Sequence, residues 1–122
     1  MTSARALAAG GVLLALATAC GAFGSHALRA QLTPERMHLW ETAVRYQFLQ
    51  ALGLVSVGLA MRGTDGSLLH MSAALLLVGA VLFSGSLYLL ALGGPRAFGV
   101  LTPLGGLACI GGWLLFAWAV WR

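Results

Sequence analysis

Hydrophobic residues fill this chain in four long stretches divided by short polar breaks. The first, Ala6 to Leu28, holds 23 residues without a charge. As a helix rising ~1.5 Å per residue it is about 34 Å long, enough to cross ~30 Å of hydrocarbon. After a polar link with His26 and Arg29, Thr33-Pro34-Glu35 has the chemistry of a helix start. It offers a threonine cap, a proline where the N–H lacks a partner anyway, and an acid in the first turn. The helix it opens is predicted to run to Met61. Pro34 to Trp40 is placed at or above the membrane surface, because tryptophan favours the interface, and Glu41 to Met61 crosses. The alternative is a separate surface helix that bends near Trp40.

Arg62 to Ser67 reads as a tight polar turn. The third stretch, Leu68 to Leu92, is charge-free with His70 near its start, and Gly93-Gly94-Pro95-Arg96 breaks it. Ala97 to Leu101 is then a short loop or a re-entrant piece. Thr102-Pro103 repeats the Thr-Pro start, and Pro103 to Trp121 is 19 residues, just long enough to span. Trp121 and Arg122 make an interfacial anchor. The expected fold is all-α: an integral membrane four-helix transmembrane bundle, one domain over 1–122, with helices at about 6–28, 34–61, 68–92 and 103–121.

Composition agrees with lipid as the solvent. Of 122 residues, 60% are hydrophobic and 8% charged, against roughly 25% charged in a soluble domain. The formal charge of +4 comes from seven basic residues, all arginine, scattered at helix ends and loops. No basic stripe exists, so nucleic acid is excluded as a partner. Cys20 and Cys109 lie inside apolar stretches and read as small packing residues, with no neighbouring ligands for a metal. No cofactor is implied. Arg5 followed by an apolar run to Leu16-Ala17-Thr18-Ala19-Cys20 resembles a secretory or lipoprotein signal. The run continues to Leu28, which favours a first membrane helix.

Four spans put both termini on one side. Arg5, Arg62 and Arg122 share that side, and Arg29, Arg36 and Arg96 share the other. The positive-inside comparison is close to a tie; the terminal amine tips it toward cytoplasmic termini. No internal repeat is evident, which argues against an inverted-repeat transporter.

The candidate chemistry centres on E-T-A-V-R-Y-Q, Glu41 to Gln47. Glu41 and Arg45 are spaced i to i+4 in the favourable order, on one face with His38, Leu49, Leu52 and Ser56. One reading is an interfacial ion pair that fixes the second helix to its neighbours. The other is a polar pocket formed by His26, Glu41, Arg45, Tyr46 and Gln47. Gln47 and Gln50 lie deeper, where an unpartnered amide is costly, so both call for a hydrogen-bond partner. His26 either pairs with Glu41 or satisfies the last carbonyls of the first helix. His38 reads as solvated and His70 as an interface marker. The first stretch is rich in small residues, with Ala17, Gly21 and Gly24 as candidate helix-packing positions. There is no nucleophile motif, no H-E-x-x-H and no phosphate loop, so catalysis is not predicted.

Gly21-Ala22-Phe23-Gly24-Ser25-His26, Glu41-Thr42-Ala43-Val44-Arg45-Tyr46-Gln47, and Thr102-Pro103-Leu104-Gly105-Gly106 with Gly112-Trp113 resemble the YgdD/YwdK-like family of small inner-membrane proteins. Ser25 stands where alanine is expected. The resemblance implies a four-helix protein of the bacterial inner (plasma) membrane, with mitochondrial relatives and no assigned catalytic residues. The family's motif residues match His26, Glu41, Arg45, Tyr46 and Gln47. Three functions follow as expectations. The first is a non-enzymatic structural or accessory subunit that packs with a membrane-protein partner or with itself. The second is a lipid, small-molecule or proton-handling protein using the polar pocket. The third, a membrane enzyme acting on lipid or quinone, has only His26 as a base.

Overall fold

A computed structural model describes residues 1–122. The chain forms α1 (Ser3–Phe23), a π-helical turn (Gly24–Leu28), α2 (Pro34–Gly63), α3 (Ser67–Ala91), a 3-10 turn (Arg96–Val100) and α4 (Leu101–Trp121). All four long helices are long and apolar enough to cross a membrane. Short links make sequence neighbours antiparallel. Each helix packs on the next, α1 on α2, α2 on α3 and α3 on α4, while α4 touches α2 only lightly. The bundle is therefore a central α2–α3 pair flanked by two outer helices. In α2 and α3 39% of the apolar span is buried, but in α1 and α4 only 17%.

Local chemistry sets the helix ends. Thr2 caps α1, its hydroxyl accepting from the Arg5 N–H, so the helix begins three residues before the apolar run. Thr33 caps α2 in the same way, accepting from the Arg36 N–H, with Pro34 as first residue. α2 is one unbroken helix of 30 residues. At ~45 Å it exceeds the hydrocarbon thickness, and it runs through Trp40 without the break a separate surface helix would need. Gly93, two residues past the end of α3, turns the chain with a φ of 91° that only glycine adopts freely. The Gly94 N–H then reaches back to the Leu89 carbonyl at 2.7 Å, closing a Schellman motif. The expectation for α4 needs correction. It starts at Leu101, and Thr102 is not its cap, because the Thr102 hydroxyl lies 2.6 Å from that of Ser86 on α3. Pro103 falls in the first turn, where its missing N–H leaves no bond unmade. The segment before it is a single 3-10 turn rather than a re-entrant piece.

Glycine lets the backbones close up. A Cβ on Gly79 would meet Cys109 Sγ at 2.5 Å and the Gly105 carbonyl at 2.9 Å; one on Gly105 would strike the Phe83 backbone. Between α1 and α2, a Cβ on Gly10 would meet Val55 at 2.7 Å and the Ala51 carbonyl at 3.0 Å. Lipid gives no hydrophobic drive to helix association, so such close contact, with interhelical hydrogen bonds, supplies the cohesion.

Both termini lie at the α2–α3 link. There the His70 ring meets the Met1 carbonyl, and Ala6, Leu54, Val57, Leu69, Ala73 and Leu76 form a core. A smaller core of Leu28, Met37, Trp40 and Ala91 closes the other end.

Candidate functional site

The second end is where the polar candidates gather, and Trp40 organises it. Its indole N–H donates to the Cys20 carbonyl at 2.9 Å, just before the π-helical turn. Its ring meets Tyr88 edge-on with centroids 4.6 Å apart. Gly24 is buried beneath it, and any Cβ there would run into the indole. The turn is wider than an α-helix, with the Arg29 N–H reaching the Gly24 carbonyl at 3.1 Å. Single π turns of this kind occur frequently at functional sites.

Beside this turn lies a cavity of about 220 Å³ between α1 and α2. Glu41, Arg45 and Ser25 supply its polar wall, while Gly21, Met37, Trp40 and Val44 supply the rest. Glu41 and Arg45 do not form the ion pair that their spacing suggests. Glu41 Oε1 instead lies 3.4 Å from Arg29, which returns over it from the α1–α2 link. Both groups of that pair are solvent-accessible, with side-chain exposures of 65% and 47%. Arg45 has no carboxylate partner. His26 is exposed in the π turn and does not meet Glu41.

Tyr46 and Gln47 belong elsewhere. Tyr46 stacks edge-on with Phe83, centroids 5.0 Å apart, and lines a separate cavity with Gln50, Cys109 and Trp113. Gln47 is buried between three helices. Its amide N–H donates to the Leu13 carbonyl at 2.9 Å, and its amide oxygen accepts from the Tyr88 hydroxyl at 2.6 Å. The five candidates thus divide into an open pair (Glu41 and Arg45), an exposed His26, and two residues turned to other faces. Successive helical residues are ~100° apart, so Tyr46 and Gln47 could not share the Glu41–Arg45 face.

The buried polar groups that the sequence left without partners prove to join helices. Gln50 accepts from the Trp113 indole at 2.9 Å. Ser84 donates to the Ala43 carbonyl at 2.8 Å and Ser72 to that of Gly112 at 2.7 Å. No buried side-chain nitrogen or oxygen is without a partner. Tyr88, and the role of Trp113 as a donor, do not show in the sequence, although two buried glutamines required donors and acceptors in facing helices.

Ala17 is fully buried, and Gly21 lies so that a Cβ would be 3.4 Å from Val44. The outer face of α1 carries another series of small residues. Ala8, Gly11, Ala15, Ala19 and Ala22 are all exposed, and a Cβ on Gly11 would meet nothing within 4 Å.

Comparison with known proteins matches residues 20–106 to a family described as Protein of unknown function (DUF423). A UPF0382 membrane protein of Staphylococcus haemolyticus is 42% identical over 87% of this chain and 86% of its own. The UPF0382 membrane protein YwdK of Bacillus subtilis is 36% identical over 87% of each. The UPF0382 inner membrane protein YgdD of Escherichia coli is 37% identical over 80% of this chain and 74% of its own. No solved structure matches. Four spanning helices and these relatives make this a multi-pass protein of the bacterial inner (plasma) membrane. The chain belongs to the DUF423/UPF0382 family of membrane proteins, whose function is uncharacterised.

Proposed function

We propose that the protein is a non-enzymatic membrane protein acting by lateral association, as an accessory subunit for a larger membrane protein or as a self-associating one. The observation that carries this reading is the outer face of α1. One side of α1 is already used against α2, yet the opposite side repeats small residues at Ala8, Gly11, Ala15, Ala19 and Ala22 and is left uncovered. A lipid-facing helix has no need of small residues; a helix that meets another backbone does. The buried polar groups support the same reading, since they are engaged in joining helices rather than in lining a path through the bundle.

The test is association after substitution on that face. Gly11→Leu and Ala15→Leu add bulk to exposed positions, so the fold is kept. Recovery of a co-purifying partner, or of the oligomer in native mass spectrometry, is expected to fall sharply. Unchanged recovery sinks the proposal.

A second reading has its own observation: the cavity at Glu41 and Arg45 lies at the end of the bundle that carries the α1–α2 link and leaves a guanidinium without a carboxylate. A charged group at this depth gains from a bound polar group, so lipid handling is the function it supports.

A further inference from the structure

We propose that this cavity binds the headgroup of a zwitterionic phospholipid bearing a primary ammonium, with the ammonium on Glu41 and the phosphate on Arg45. The inference rests on the second reading above and names its ligand.

The order of charges along α2 carries the argument. α2 enters the membrane from Thr33, so Glu41 lies nearer the water and Arg45 four residues deeper, about 6 Å along the axis. A phosphoethanolamine headgroup has the same order. Its ammonium is outermost, its phosphate follows two carbons further in, and the acyl chains run on into the bilayer. A headgroup entering from the lipid side thus meets an acid where it is cationic and a base where it is anionic.

The pair is also held open for such a guest. On an isolated helix a Glu and Arg at this spacing would close on each other. Here Arg29 draws one carboxylate oxygen toward the link, at 3.4 Å, and Arg45 stays unpaired. The Ser25 hydroxyl lines the same cavity from the turn facing α2, at the outer level with Glu41, and can accept from the ammonium. Gly21 forms part of the deeper wall, where a Cβ would come to 3.4 Å from Val44. At about 220 Å³ the space suits a headgroup, with the chains lying outside in the bilayer. A purely anionic headgroup would leave the Glu41 charge facing it, and a bare cation would face Arg45.

Native mass spectrometry of the full chain, released from detergent holding equal amounts of dioleoyl phosphatidylethanolamine, phosphatidylcholine and phosphatidylglycerol, tests this. The ethanolamine lipid should be retained about fivefold over either competitor, the scale of one net hydrogen bond. N-methylation of the headgroup should erode that preference stepwise as N–H donors are lost, a readout that needs no variant. Glu41→Gln should make the ethanolamine and choline lipids equal, Arg45→Gln should weaken all three, and Arg29→Gln, which lets Glu41 close on Arg45, should weaken the ethanolamine preference. A preference for the glycerol lipid in the unaltered chain would overturn the inference while leaving a lipid-binding cavity. The absence of any preference would overturn both. Retention of soluble glycerophosphoethanolamine as strongly as the diacyl lipid at equal concentration would move the site from lipid to free solute and so overturn the lipid assignment.

Discussion

Two polar levels of α2, little more than a turn apart, are treated in opposite ways. At the deeper level Gln47 and Gln50 are buried, and their amides engage the Leu13 carbonyl, the Tyr88 hydroxyl and the Trp113 indole. At the outer level Glu41 and Arg45 are exposed, share a cavity, and leave each other unpaired. The difference follows from the solvent. A polar group in hydrocarbon must find its partner inside the protein. A polar group at the interface can wait for water, a headgroup or an ion. The inner level therefore holds the bundle together, and the outer level is free to serve a function.

The most severe way to break the closed side is to force its backbones apart. Gly105→Leu drives a side chain into the Phe83 backbone and the Gly79 carbonyl. With no flexible group to yield, the loss should reach about 3 kcal/mol or more. Unfolding in mixed detergent should show α3 and α4 separating at much lower denaturant; a near-native midpoint would remove the glycine seam from the account. Next in size is Gln47→Ala, which strips the Tyr88 hydroxyl of its acceptor and frees the Leu13 carbonyl. Interhelical hydrogen bonds in membranes are worth about 0.6–2 kcal/mol each, so a loss of about 1–3 kcal/mol is expected in the same assay. The smallest effect belongs to the open side. Glu41→Gln removes only an exposed contact with Arg29, and exposed pairs contribute about 0–1 kcal/mol. That contribution should fade further when salt is raised from low to physiological concentration.

The comparison also explains what the sequence made legible. The four spans were readable because charge-free apolar runs of this length have no other stable solution, and Thr33-Pro34 fixed the start of α2 by local chemistry alone. Thr102-Pro103 carries the same two letters and misleads, because its threonine is spent on Ser86 in the neighbouring helix. The Glu41–Arg45 spacing misleads for the same reason. The i to i+4 rule sees one helix, whereas Arg29 arrives from the preceding link. Gln47 was recognisable as a buried amide that needed partners, but Leu13 and Tyr88 lie 34 and 41 residues away along the chain, and spacing says nothing about which helices meet. Residues whose role depends on their own helix were readable; residues whose role depends on a crossing were not.

The most direct test of this division is to measure the unfolding free energies of Gln47→Ala and Glu41→Gln side by side in one detergent, at physiological salt. Gln47→Ala should lose about 1–3 kcal/mol and Glu41→Gln should change stability by no more than about 0.5 kcal/mol. A loss at Glu41 that equals or exceeds the loss at Gln47 would mean the outer level is also structural, and would contradict the division.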